Sequence, residues 1–318
     1  MNTATAARTD YTLKAYNHLE NLGARFIDEL DKSEKTVNTY RRALRQFFAY
    51  LNERNIKDPE RGDIIEYRNT LKAAGKQPTT IQNYITVVRL FFDWALTNNE
   101  IETDPARKIR GAKISHNFKK DIPTDSQVED LIDTCGSDSL QDKRDCIIIR
   151  LMVDNGLRDI ELSRANVEDL RPAGKVTVLY LQRKGMEEKT AIAIIPEDLE
   201  KEIREYLKAR GAHPDEPLFT SLSNNSKSNR LTTRSISRIV KTRLREIGID
   251  SPRITAHSLR HKAITTALEG GATIQQAQQF AGHASISTTT IYAHNLEALE
   301  NPCSNLNASR YKRRAAKA

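Results

Sequence analysis

Between Thr255 and His294 the chain reads T-A-H-S-L-R-H-K, then G-H-A-S, then T-T-T-I-Y-A-H. His257, Arg260 and His261 stand at i, i+3 and i+4, a spacing that lines polar side chains along one helix face. Gly282-His283 follows a short amphipathic stretch, and Tyr292 stands nine residues beyond His283. Imidazoles, a guanidinium and a phenol would meet here if the intervening helices pack together. The chemistry that suits them is a phosphate held by Arg and His and attacked by Tyr. Metal ligation suits them poorly: two of the three cysteines lie far upstream, and there is no C-x-x-C pair.

Two residues earlier in the chain complete the scheme. Arg158 follows a helix stop at Asn155-Gly156, and Lys184 sits in Gln182-Arg183-Lys184-Gly185 between two β-branched runs. A phosphodiester presents two non-bridging oxygens, which planar guanidinium donors match well. Paired arginines supply the positive charge that stabilises a pentacoordinate transition state. A phenol with a pKa near 10 needs activation, and the leaving 5′-oxygen needs a proton that a flexible lysine can deliver. Singly, each residue has a plainer reading: a surface arginine, a solubilising lysine, a core tyrosine. Arg158, Lys184, His257, Arg260, His283 and Tyr292 together fill each role once.

The elements that must position them read as mainly helical with a small β-sheet, an α+β chain of two domains. Residues 1–14 are small and polar. From 15 to 112 the pattern is helical throughout: Val37, Tyr40, Leu44, Phe47, Phe48 and Leu51 recur at helical spacing, as do Ile81, Tyr84, Ile85, Val88, Phe91 and Phe92. The segment around 113–121, within Arg107–Lys120, carries Lys and Arg but no Asp or Glu, and reads as a basic linker lying along a phosphate backbone. The domain at 122–302 begins with a helix containing Val128 and Leu131, followed by a buried helix from Cys146 to Val153. A hairpin of Val176–Leu181 and Ala191–Ile195 with Lys184 at its tip comes next, then helices over 196–209 and 233–247. The tail, 303–318, is basic.

The chain has 318 residues and a formal net charge of +8, which favours an anionic partner without specifying one. Three cysteines and no apolar leader or membrane-length run predict a reduced cytoplasmic protein. Exposed basic residues on the helices, Arg41, Arg42, Arg45, Arg238, Lys241 and Arg243, with Lys113 in the linker, are the candidates for DNA contact.

N-G-L-R-D-I-E-L around Arg158, R-K-G around Lys184, H-S-L-R-H, G-H and S-T-T-T-I-Y-A-H together resemble the tyrosine recombinases, the phage integrases and Xer-type enzymes. The resemblance spans about Thr36 to Asn295. It implies a helical core-binding domain and a catalytic domain that close on duplex DNA as a clamp. Tyr292 would form a 3′-phosphotyrosyl link and Arg158 and Arg260 would clamp the phosphate. Lys184 would protonate the leaving oxygen, His257 would transfer protons and His283 would hydrogen-bond the phosphate. Glu161 would steady the site from behind, and His261 would support its helix. Neither metal nor cofactor nor ATP is implied. Strands would be exchanged through a Holliday junction in a tetramer on core sites, from a monomeric or weakly associated protein in solution. A directionality protein is a possible partner, the nucleoid the expected place, and integration, excision or resolution the outcome. The short leader leaves no room for an arm-binding domain. A type IB topoisomerase and a DNA-binding regulator are the competing readings. The first would reseal the same strand as a monomer, and the second would be expected to have lost part of the residue set.

Overall fold

The structure, a computed structural model, describes residues 18–114, 121–136, 138–183, 185–221 and 229–300. The leader, Lys184, most of the 113–121 linker and the 303–318 tail lie outside the described residues. The chain divides into two compact units, Met1–His116 and Asn117–Ala318. Among the described residues, no helix is long and apolar enough to cross a membrane.

Among the described residues the first unit holds four helices: α1 over 18–28, α2 Glu34–Glu53, α3 Arg61–Ala73 and α4 Pro78–Thr97. Leu44, Phe47 and Leu51 of α2 and Ile85, Val88, Phe91 and Phe92 of α4 are the apolar stripes read in the sequence, and they bury one common core. Phe47 packs edge-on against Tyr67 at 5.1 Å and against Phe92 at 6.0 Å, the aromatic geometry that adds to simple burial. Arg41, Arg42 and Arg45 lie on the exposed side of α2.

The start of the basic segment is anchored to this unit. Ala106 and Ile109 are buried in the same core. Arg61 donates to the Arg107 carbonyl (2.6 Å) and Arg68 to the Arg110 carbonyl (3.0 Å). Residues 106–110 are therefore packed against their own unit, because the apolar Ala and Ile among the cations find a core to bury in. Lys113, further on, is exposed.

The second unit begins with α5 (Asp125–Asp133), whose Thr124 cap accepts from the Gln127 N–H in a capping box. Next come α6 (Leu140–Val153) and the single turn-and-a-half α7 (Asp159–Arg164). Strands β1 (Leu170–Ala173), β2 (Val176–Leu181) and β3 (Ala191–Ile195) form an antiparallel sheet in the order β1-β2-β3. Leu181 pairs with Ala191, so residues 182–190 form the connection beyond the ladder. Helices α8 (Glu197–Arg210), α9 (Thr233–Glu246), α10 (Ala256–Glu269), α11 (Ile274–Ala281) and α12 (Ile286–Glu300) complete the unit. Ile147, Ile148, Leu151, Leu199, Ile203, Ile236, Val240 and Leu259 lie in one apolar core drawn from α6, α8, α9 and α10.

Helix α6 starts six residues before the helix read from the apolar run at Cys146. Ser139 caps it, accepting from the Asp142 N–H. Its first turns are charged, yet Arg144 and Asp145 are buried at 5% and 3% exposure. Arg243 of α9 explains this. Its Nη2 donates to Asp142 Oδ1 (2.5 Å) and Asp145 Oδ2 (3.3 Å), its Nη1 to Glu246 Oε2 (3.2 Å) and the Thr134 carbonyl (3.4 Å). Arg144 supplies a second cation to Asp145 at 2.7 Å. Arg243 is thus withdrawn from the residues expected to reach DNA: its guanidinium is consumed inside the fold. Lys241 is half-buried and engaged by Asp250 (3.1 Å) and the Ser251 carbonyl (2.9 Å), whereas Arg238 is exposed.

Breaking a buried ion network by removing one partner leaves charge uncompensated. Arg243→Met is expected to destabilise the protein by about 2–4 kcal/mol, Arg144 remaining to hold Asp145. The salt dependence of DNA binding should stay as in wild type. Urea unfolding and a salt titration read the two effects separately; unchanged stability with a shallower salt slope would return Arg243 to the DNA face.

Candidate active site

The site is assembled from two turns and two helices. Asn155-Gly156 ends α6 with Gly156 in the left-handed region (φ 61°), where a side chain would be strained. A Cβ there would also press within 3.0 Å of the Phe280 ring. The turn delivers Arg158 as the residue preceding α7. Its Nη1 donates to Glu161 Oε1 and its backbone N–H to Glu161 Oε2, both at 2.8 Å. Glu161 is 2% exposed, so one buried carboxylate fixes both the guanidinium and the start of the helix.

Helix α10 carries the polar triplet. The triplet runs from surface to core: His257 is exposed, and Arg260 and His261 are buried at 2% and 7%. Arg260 Nη1 donates to the Gly156 carbonyl and Nη2 to the Ala281 carbonyl. The His257 and His261 rings stand 4.4 Å apart. His257, Arg158, Asp159, Ser237, Thr255 and Arg260 line a cleft of about 290 Å³.

Helix α11 ends at Gly282 in the left-handed conformation (φ 58°), with the His283 N–H returned to the Gln278 carbonyl (3.1 Å). This glycine stop is what places His283. His283 Nδ1 is hydrogen-bonded to the Thr289 hydroxyl of α12 at 2.9 Å, and Thr289 is fully buried. Arg158 Nη2 reaches the Gly282 carbonyl at 3.3 Å. Tyr292, on α12, is 3% exposed and packs with Ile264 and Ala281. Its hydroxyl shares a hydrogen bond with His261 Nδ1, and its ring stacks at 6.0 Å and 24° on His283.

Burial sets the protonation states. It pushes the Tyr292 phenol up to about 12, against the pull of Arg260 and Arg158. Burial, with Arg158 next in weight, lowers Arg260 to about 10, still three units above neutrality, so it remains a cation. Burial lowers His261 to about 3, helped by His257 and Arg260, and His283 to about 4, helped by Arg260 and Arg158. Both imidazoles are neutral in the folded protein. The site is therefore a cationic pocket of two guanidiniums, with neutral imidazoles and a protonated phenol held against one of them. Such a pocket can receive a phosphodiester, whose negative charge replaces the missing counter-ion.

The neutral burial has a consequence for stability. An unfolded histidine titrates near 6.5, so as pH falls the unfolded chain takes up protons that the folded chain refuses. The stabilisation from these two groups is complete above about pH 6.5 and is lost progressively as pH falls towards 4. Tm should fall between pH 7 and pH 5, above the range where most carboxylates titrate. His261→Leu should flatten that fall. A pH series of thermal melts with equal slopes for the two proteins would contradict neutral burial of His261.

Residues 123–298 match the model of the phage integrase family, and residues 24–99 that of the phage integrase N-terminal SAM-like domain. The chain belongs to the phage integrase family of tyrosine recombinases. This tyrosine recombinase is 30% identical over 283 residues to tyrosine recombinase XerA of Pyrococcus furiosus, covering 87% of this chain and 91% of the relative. It is 29% identical over 274 residues to tyrosine recombinase XerD of Listeria innocua, covering 84% and 90%. Among solved structures, the fold is shared with XerH recombinase bound to a palindromic difH substrate in a post-cleavage complex (TM-score 0.70, 20% identity, 85% of this chain and 80% of that one). It is shared also with a lambda integrase tetramer bound to a Holliday junction (TM-score 0.68, 16% identity, 87% and 76%).

In this recombinase the structure brings Arg158, His257, Arg260, His283 and Tyr292 together, with Glu161 and His261 behind them; Lys184 lies outside the described residues. Sequence reasoning gave His261 only a supporting part in its helix, yet it is the residue that touches the Tyr292 hydroxyl. It passed over Thr289 and Arg183. The run Ser287–Thr290 was a visible signal for a hydroxyl partner of His283. Nothing in sequence spacing pointed to Arg183, whose neighbours across the fold belong to α11.

Proposed function

We propose that this protein is a site-specific recombinase that exchanges strands of duplex DNA without metal or ATP. The observation that carries the reading is the convergence of Arg158, Arg260, His283 and Tyr292 around the end of α11. Arg158 and Arg260 bind the non-bridging oxygens of the scissile phosphate and balance the charge that grows in the transition state. Tyr292 Oη attacks phosphorus; the P–O5′ bond breaks as the P–O(Tyr) bond forms. Lys184 gives a proton to the departing 5′-oxygen, His257 serves proton transfer at the phenol, and His283 hydrogen-bonds the phosphate. The phosphotyrosyl bond retains the energy of the phosphodiester, so a 5′-hydroxyl from a partner strand reverses the attack and needs no nucleotide.

The lambda integrase tetramer on a Holliday junction supports a tetramer on DNA as the working form. Arg41, Arg42, Arg45, Lys113 and Arg238 are exposed and are the cations assigned to DNA phosphates, with Lys241 a weaker candidate because Asp250 and Ser251 already engage it. A cytoplasmic, nucleoid-bound location follows from this reading.

Covalent trapping tests it. The protein is mixed, with EDTA and without ATP, with nicked duplexes from the ends of its own genetic element, then denatured. A protein–DNA adduct is the expected result. Tight, salt-sensitive binding with no adduct on any duplex would overturn the reading in favour of a DNA-binding regulator.

A further inference from the structure

Three guanidiniums, not two, end on the last turn of α11. Arg158 Nη2 takes the Gly282 carbonyl, Arg260 Nη2 the Ala281 carbonyl, and Arg183 Nη2 the Gln279 carbonyl at 3.2 Å. The third comes from a different element. Arg183 lies just past the end of β2, and its side chain crosses to α11 and lies over Gly282. An added Cβ on Gly282 would stand 1.3 Å from Arg183 Nη1. Glycine at this position thus serves two needs, the left-handed stop of α11 and the space for a guanidinium.

The backbone of Arg183 is held as firmly as its side chain. Its carbonyl accepts from the Met186 N–H at 3.1 Å, closing a four-residue turn whose Gly185 has φ 85°. Gln182 Nε2 donates across the same turn to the Met186 and Glu187 carbonyls at 3.0 and 2.9 Å. The arrangement has an electrostatic cost. Arg183 adds a third cation beside Arg158 and Arg260, its side chain donates to a neutral carbonyl, burial outweighs the attraction of Glu161 and disfavours its charged form, and its buried Nε has no hydrogen-bond partner among the described residues. The carbonyl end of a helix offsets part of that repulsion. A neutral side chain would offset it better, so the arginine is not explained by stability.

We propose that Arg183 is a positioning residue for protonation of the leaving group: it pins the end of β2 to the α11 turn, and so registers the segment bearing Lys184 against the turn bearing His283. The inference rests on the assignment of Lys184 as proton donor given above. Pinning matters because the donor must meet an oxygen that appears only as the P–O5′ bond breaks, and a displacement of about 1 Å costs roughly 10²-fold in such a step.

The test uses a substrate in which the bridging 5′-oxygen is sulfur. The P–S bond breaks to release a thiolate, which needs no proton, so a defect in proton delivery disappears while a defect in binding phosphate remains. With the full-length protein, Arg183→Ala should cleave an ordinary nicked duplex about 30–100-fold more slowly. It should come within about threefold of wild type on the sulfur substrate, and its Tm should be unchanged or higher. Lys184→Ala should show the same rescue with a larger initial defect, and Arg158→Ala none. Rescue of Lys184→Ala without rescue of Arg183→Ala, or no defect in Arg183→Ala, would overturn the role of Arg183 and leave that of Lys184 standing. Failure of the sulfur substrate to rescue Lys184→Ala would remove the donor assignment and the positioning role with it.

Discussion

Tyr292→Phe is expected to abolish the covalent protein–DNA adduct, a loss of at least about 10⁴-fold in cleavage, while DNA affinity changes by no more than about twofold. The change deletes one oxygen and nothing else. The ring of Tyr292 packs with Ile264 and Ala281, and phenylalanine fills the same volume. The hydroxyl's hydrogen bond to His261 Nδ1 disappears at a cost of about 1 kcal/mol, a drop in Tm too small to unfold the unit. The guanidiniums proposed to bind phosphate are untouched, so binding should persist while chemistry stops. Gel shift and denaturing gels on the same nicked duplex separate the two. An adduct that survives in Tyr292→Phe and vanishes in Tyr311→Phe would relocate the nucleophile to the tail. The phenol's state adds a requirement. With a pKa near 12, only about one molecule in 10⁵ is phenolate at pH 7. Free of DNA, the protein therefore holds the Tyr292 phenol protonated, and the proposed attack requires that this proton be removed as it occurs.

What could be read from residue order, and what could not, divides along a physical line. The apolar stripes of α2 and α4 were legible because a period of 3.6 is a direct imprint of one buried face. Strands β2 and β3 were legible as β-branched runs. Strand β1, with the sequence Leu-Arg-Pro-Ala, was passed over: it is short, contains proline, and exists as a strand because β2 offers it a partner. Arg243 was read as an exposed cation for DNA and Arg144 and Asp145 were not singled out, since periodicity recognises burial only through apolar side chains. Their burial depends on α6 and α9 meeting, a tertiary fact. The H-S-L-R-H spacing established a shared helix but not direction. That His257 would stand outside while Arg260 and His261 turned inward depends on where α12 and the Gly156 turn pack. The most consequential unreadable contact was Arg183 on Gly282, between residues about a hundred positions apart.

Arg260→Ala carries the other large expected effect, and its geometry explains why the loss should exceed that of one phosphate contact. The two Nη atoms of Arg260 tie the Gly156 carbonyl to the Ala281 carbonyl. Gly156 lies two residues before Arg158 and Ala281 two residues before His283, so one guanidinium spans the two turns that present the other groups proposed to bind phosphate. Removing one preorganised donor from such a site costs about 10²–10³-fold. Loosening the two turns as well brings the expected loss in single-turnover cleavage to at least about 10³-fold. Arg260→Lys should recover little of it, because an ammonium is a point charge that cannot bridge two carbonyls in one plane. Stability should respond less than activity. Two buried carbonyls lose their donors, but a cation whose charged form burial disfavours is removed with them, and the terms oppose each other. Arg158→Ala provides the contrast. There the buried Glu161 carboxylate loses its guanidinium partner at 2.8 Å and keeps the residue's backbone N–H, and removing one member of a buried ion pair destabilises by about 3–5 kcal/mol. Thermal melts beside cleavage assays should therefore rank the variants in opposite orders, Arg158→Ala the less stable and Arg260→Ala the less active. A cleavage loss under tenfold in a folded Arg260→Ala protein would show that the two turns hold their register without it, and that the remaining guanidiniums supply the charge the site needs.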